Sequence, residues 1–278
     1  MTRAFVLALA LPLLSVMPQQ PAPHRSLLAD HMLVTWYGNP RSAGMGALGE
    51  QSGAARIARF RKQGEAYRAI SSKKVLLAYH LVAVVAQCTA GADGLWRRRE
   101  TRDVIDGLLA EARANGFRLV LDVQVGRSTV AAEVAALAHY LREPDVDLAL
   151  DPEFGMSDCE VPGKTIGSLR ASDVNGALDQ LERIMKEHQL PSKVLIVHQF
   201  RLDMLPDKHL IRTSTLVDTV LMMDGLGSQS LKLASYRAVM RQPLAFAGIK
   251  LFYKQDANLF TPAEVLALTP VPSVVIYQ

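Results

Sequence analysis

Eight short apolar runs, separated by helical or irregular segments, constrain the fold of this chain more than any other feature. They are 32–37, 75–86, 117–125, 145–151, 193–200, 217–224, 244–253 and 273–277. Most are continuous in hydrophobicity, as strands buried on both faces must be, and that is the signature of a parallel sheet. The 75–86 run leaves open a loop starting near His80. Between the runs, apolar residues recur at helical spacing over 54–69, 102–115, 129–141, 172–189 and 228–241. Thr261-Pro262-Ala263-Glu264 adds a capping box with proline at the first helical position. Eight strands alternating with crossovers in a chain of 278 residues predict an α/β protein, a single (β/α)8 TIM barrel with long βα loops. A doubly wound open sheet is the alternative, and a last short strand at 273–277, where a barrel closes, favours the barrel.

The first 26 residues read differently. Met1-Thr2-Arg3 is basic, Ala4 to Met17 is apolar except for Ser15, and a proline-rich spacer follows. This is the layout of a secretory signal peptide, and the apolar run is short of the roughly 20 residues that span a bilayer. The expected organisation is therefore an export segment and spacer over 1–26 and one barrel domain over 27–278, acting outside the cytoplasm in the periplasm, cell envelope or medium. No stable membrane partner is expected beyond the signal segment. Cys88 and Cys159, the two cysteines, fall in loops at the same end of the predicted fold, so a disulfide and two free thiols are both open. A net charge of +4 is too small to indicate nucleic-acid binding, and 49% hydrophobic with 21% charged residues excludes a disordered chain.

A barrel gathers the C-terminal ends of its strands into one rim, where active sites sit. The predicted strands bring Tyr37, His80, Asp122 with Gln124, Asp151 with Glu153, His198 with Gln199, Asp224, then Lys250 or Tyr253, and Tyr277. Four consecutive strands, the third to the sixth, end in an acid or a histidine. Chance polarity at strand ends explains that poorly. The strongest signal is D-P-E at 151–153. Residues two apart on a strand share a face, so Asp151 and Glu153 point the same way if the strand continues through Pro152.

Other motifs are weaker. Gly44-Met45-Gly46-Ala47-Leu48-Gly49 matches G-x-G-x-x-G, but it lies several residues past the strand end and no acid ends the next strand. It reads as a rim loop, and no organic cofactor is expected. Trp96-Arg97-Arg98-Arg99 reads as a solvated helix start, with contact to a polyanion or glycan as the alternative.

Two carboxylates at one strand end suit glycoside hydrolysis, with Glu153 as general acid and Asp151 as its partner. The D-x-E at the end of the fourth strand, with Met222 and Asp224 ending the sixth, resembles the family-18, chitinase-like glycoside hydrolases. That resemblance implies Glu153 as acid, Asp151 as its partner and Asp224 as a substrate or N-acetyl contact. The chain departs from the family at Ala149 (an aspartate there), at Met223 (a tyrosine) and at the last strand, which carries Tyr277 and no tryptophan. Tyr37-Gly38-Asn39-Pro40, Leu148 to Glu153 and His198-Gln199-Phe200 are similar to segments of uncharacterised secreted bacterial barrel proteins, which implies fold and export. The expected function is a secreted glycosidase-like hydrolase acting on a cell-envelope or environmental carbohydrate. Tyr37, His80, Asp122, Gln124, His198, Gln199, Asp224 and Tyr277 are its candidate substrate contacts. One alternative is a hydrolase or isomerase with one divalent metal held by Asp122, Glu153, His198 and Asp224. Another is a non-catalytic barrel that binds glycans through Trp36, Tyr37 and Trp96; the 6% aromatic content offers little material for sugar stacking and counts against both glycan readings.

Overall fold

The computed structural model describes residues 25–278, so the export segment read over 1–26 lies almost wholly outside the described residues. The strands are β1 (His31–Gly38), β2 (Lys74–Ala86), β3 (Arg97–Arg99), β4 (Arg118–Val123), β5 (Val146–Leu150), β6 (Lys193–Gln199), β7 (Val217–Met223), β8 (Phe246–Leu251) and β9 (Val274–Tyr277). The helices are α1 (Leu27–Asp30), α2 (Ala47–Glu50), α3 (Gly53–Arg68), α4 (Arg102–Ala114), α5 (Val130–Leu141), α6 (Ala171–His188), α7 (Gln229–Val239) and α8 (Pro262–Leu266). Every strand except β3 pairs in parallel with its neighbours, and β1 pairs with both β2 and β9. The sheet therefore closes into the expected eight-stranded (β/α)8 barrel.

Strand alternation sorts the side chains into two cores. Leu33, Tyr37, Ala78, Val120, Ala149, Ile196, Met222 and Ile276 fill the barrel interior. Their sequence neighbours Trp36, Tyr79, Leu121, Leu148, Val197, Leu221 and Tyr277 belong to the larger core between sheet and helices. There Phe60 of α3 stacks on Trp36 and Tyr79 with ring centroids 5.0 and 5.6 Å apart. Such pairs contribute about 0.5–1.5 kcal/mol each beyond area burial. The four apolar positions Val104, Ile105, Leu108 and Leu109 give α4 one buried face.

The floor of the barrel is closed by α1. Leu28 is fully buried in the interior, its N–H donates to Asp218 Oδ2 (2.8 Å), and its carbonyl accepts from Lys73 Nζ (2.6 Å).

Two expectations need correction. The β2 strand does not stop near His80; it runs unbroken to Ala86, with a register shift between Val82 and Val84 against β4. Its extension carries it past the rim, where 97–99 pairs with it antiparallel as β3. The arginine run is thus a strand, not a helix start. Arg97 and Arg99 both bind Glu133 of α5, whose carboxylate is fully buried, at 2.9 and 2.7 Å. These two guanidiniums are committed within the protein, and strand spacing puts both on the same side.

Candidate functional site

The D-P-E segment is built by backbone bonds more than by strand pairing. The β5 strand stops at Leu150, and Pro152 opens a 3-10 turn over Pro152–Phe154. Proline cannot donate to a ladder, so pairing ends where it stands. Asp151 N–H still donates to Val123 O (3.1 Å), and Gly167 N–H donates to Glu153 O (2.7 Å). A side chain at Gly167 would place its Cβ 2.3 Å from Gly155 O and 2.8 Å from Glu153 O, so a glycine is needed to brace the turn. Although the strand ends before Glu153, both Asp151 and Glu153 line the rim pocket.

That pocket is about 370 Å³. Tyr37, Gln124, Asp151, Asp224 and Lys250 form its deep polar wall, with Glu153 half-buried beside them. Phe154, Phe200 and Phe252 supply aromatic surface, and Gly44, Met45, Leu226 and Gln278 complete the mouth. The glycine motif at 44–49 contributes here as a rim loop. Gly46 has φ +136, and a Cβ on it would sit 2.5 Å from Tyr37 O and 2.9 Å from Gln278 Cγ. Its glycine permits close packing of the loop on the barrel mouth.

A charged network lies under the pocket. His80 and His198 face one carboxylate, Asp122: His80 Nε2 is 3.1 Å and His198 Nε2 3.4 Å from Asp122 Oδ2. His198 Nδ1 reaches Asp224 Oδ2 at 3.1 Å. All three of His80, Asp122 and His198 are completely buried. Burial opposes a charge on His198, but the Asp122 and Asp224 carboxylates outweigh it and push the imidazole up to about 10. Burial dominates at His80 and pushes it down to about 4, so it is neutral and donates from Nε2 to Asp122. Burial works against ionised Asp122 as well, yet His198 and His80 hold it well below the usual carboxylate range.

The two acids of D-P-E behave oppositely to Asp122. Burial, followed by repulsion from Asp122 and Asp224, outweighs the attraction of His198 and lifts Asp151 to about 8. Burial and then Asp224 raise Glu153 above the ordinary glutamate value. Gln124 Nε2 is 3.4 Å from Tyr37 OH and 3.5 Å from Asp151 Oδ2, and Gln124 Oε1 accepts from Ala86 N–H at 3.1 Å. Asp151 Oδ1, Asp224 Oδ1 and Gln278 Oε1 are buried acceptors that no donor among the described residues reaches.

The structure thus brings Tyr37, His80, Asp122, Gln124, Asp151, Glu153, His198 and Asp224 together. It does not bring Gln199 or Tyr277. Gln199 alternates with His198 and points out of the barrel, where its Oε1 accepts from Lys208 Nζ (2.8 Å). Tyr277 alternates with the interior Ile276 and hydrogen-bonds Tyr67 of α3 (2.8 Å). Trp36 is buried on the same outer side, and Tyr253 accepts its indole N–H at 3.3 Å, so neither faces the pocket. Trp96 lies under the Arg127 guanidinium, 4.6 Å from the ring centroid. Cys88 and Cys159 are both free and exposed, so they form no disulfide.

Phe154, Phe200, Phe252 and Gln278 were not among the expected contacts. Each lies one to four residues beyond a strand end, and that position is the sequence signal that could have found them. Of the expected metal ligands, Asp122 and His198 lie within ligand reach of each other, but the third such residue is His80 and not Glu153. One ligand atom from each of His80, Asp122 and His198 falls within 4.8 Å of the others.

No protein-family model and no curated protein matches the chain. Among solved structures it is similar to a hyperthermophilic endo-beta-1,4-glucanase crystallised in complex with substrate, at a TM-score of 0.49 and 6% sequence identity. The superposition covers 90% of this chain and 89% of that chain. The fold and the pocket define a (β/α)8 barrel protein with a carboxylate-rich cleft at the C-terminal ends of its strands.

Proposed function

We propose that this barrel is an exported glycoside hydrolase in which Glu153 is the general acid. The observation that carries the reading is the state of Glu153: a half-buried carboxyl, raised above its ordinary pKa, lining the pocket with no side-chain hydrogen bond to the described residues. A carboxyl shifted in that direction holds its proton to higher pH than an ordinary glutamate does, which suits it to protonating a leaving glycosidic oxygen. As the C1–O bond breaks, positive charge develops on the sugar, and the Asp224 carboxylate, which lines the same pocket, opposes it. The ionised Glu153 can then take a proton from the attacking water, which returns it to its starting state. Asp151 remains protonated and neutral beside it, so it does not add a second charge that would hold the Glu153 proton too tightly.

The shape of the pocket supports a carbohydrate. Unpaired acceptors on Asp151, Asp224 and Gln278 suit hydroxyl donors, and the phenylalanines suit the apolar faces of sugar rings. The export reading rests on residues 1–26 alone. Glu153→Gln tests the acid role: reducing-end release from cellulosic, chitin-like and peptidoglycan glycans is expected to fall by at least about 100-fold, with unchanged thermal unfolding. Unchanged turnover in a folded variant would remove Glu153 from the mechanism.

The His80, Asp122 and His198 donors favour a second reading, a metal-dependent hydrolase. In that case Asp224 would orient His198 through Nδ1, as carboxylates do behind metal-bound histidines. Elemental analysis of the purified protein decides between the two. One equivalent of zinc or manganese, lost in His80→Ala, supports the metal. Metal-free protein that still hydrolyses a glycan supports the first reading.

A further inference from the structure

We propose that Lys250 selects a carboxylate on the substrate, so that the glycan cleaved carries acidic sugars. This rests on the glycoside-hydrolase reading and names its substrate class.

Four lysines are buried among the described residues, and three of them are held by protein acceptors. Lys193 Nζ donates to Glu143 O and Val146 O, both at 2.6 Å. Lys208 Nζ donates to Gln199 Oε1 (2.8 Å) and Val239 O (3.0 Å). Lys232 Nζ donates to Gly225 O and Lys250 O, both at 2.7 Å, and pairs with Asp256 at 3.0 Å. Lys250 is the exception. It is 4% exposed, yet its Nζ donates to no described residue and forms no ion pair. What it touches are ring faces: Nζ lies 3.7 Å from the Tyr37 ring centroid and 5.2 Å from that of Phe252. Those faces favour a cation but accept none of its three N–H bonds in the manner of an oxygen.

A buried ammonium held this way is costly unless something in the pocket completes it. Lys250 lines that pocket. The carboxylates around it do not serve: Asp122 and Asp224 both face His198, and among the described residues no carboxylate, Asp151 and Glu153 included, comes within ion-pair distance of Nζ. A sugar hydroxyl could accept a hydrogen bond from Nζ but would not form an ion pair with it. A substrate carboxylate does both, and β8 places Lys250 rigidly, because Lys232 grips the Lys250 carbonyl.

The test compares D-glucuronate with D-glucose, D-galacturonate with D-galactose, and N-acetylmuramate with N-acetylglucosamine. Binding is followed by NMR through the methyl signal of Met45 at the pocket mouth. At least one acidic sugar is expected to bind 10-fold or more tighter than its neutral counterpart. Lys250→Met should bring that ratio below 2-fold, and Lys250→Gln, which keeps a donor without the charge, should do the same. Equal affinities within every pair, or a preference that survives in a folded Lys250 variant, overturns the assignment while leaving the hydrolase reading intact. Failure of all six sugars to bind overturns both.

Discussion

His198 is the residue on which the electrostatics of the site turn. It lies between Asp122 and Asp224 with no exposure, and the two carboxylates hold its proton up to about 10. The folded value is above the ordinary 6.5, so charged His198 contributes stability that is fully present below pH 6.5 and is lost as pH rises toward 10. Buried lysines such as Lys193, pushed down to about 8, titrate over the same range, so the wild-type curve alone is not diagnostic. The diagnostic quantity is the stability difference between wild type and His198→Gln in urea unfolding. That difference is expected to narrow steadily from pH 6.5 to 10. A constant difference would mean that His198 is not protonated in the folded protein. At this scale the sequence was informative about identity and silent about state. Asp122, Asp151 and Glu153 look alike as letters, yet one is held ionised and two are pushed toward their neutral forms. The difference lies in which charges the closed barrel sets beside each one.

Lys232 and Asp256 show how one element supports the site made by others. Lys232 of α7 is bound to the carbonyls of Gly225 and Lys250, and Asp256 accepts Gly227 N–H (3.0 Å) and Phe252 N–H (2.8 Å). The pair therefore fastens together the loops after β7 and β8, which carry Asp224, Leu226 and Phe252 to the pocket. Both side chains are about 1% exposed. Removing one partner of a buried ion pair costs about 3–5 kcal/mol because the other charge is left alone. Lys232→Met is expected to lose that much in urea unfolding, and a loss under about 1 kcal/mol would show that the clamp is not holding the loops. Periodicity reads elements such as α4, α6 and the eight barrel strands well, because their burial patterns are regular. It does not read β3, where three consecutive arginines look solvated until Glu133 is placed opposite them. Nor does it reveal α1, four residues whose Leu28 is buried only because the barrel has an open floor to fill.

For the whole molecule, the sequence by itself determined the barrel. Eight runs apolar on both faces have few ways to be covered, and a parallel sheet wrapped in helices is one that eight strands can close. It also determined which ionisable residues reach the rim, since they stand at strand ends. Only the tertiary structure decided which of two neighbouring residues faces the pocket. His198 faces in and Gln199 out, Ile276 in and Tyr277 out, because strand alternation becomes inside and outside once closure sets the register. Only the tertiary structure, too, left Lys250 buried with no hydrogen-bond acceptor among the described residues. The energy of a buried charge depends on its neighbours in space, and those neighbours come from five different strands.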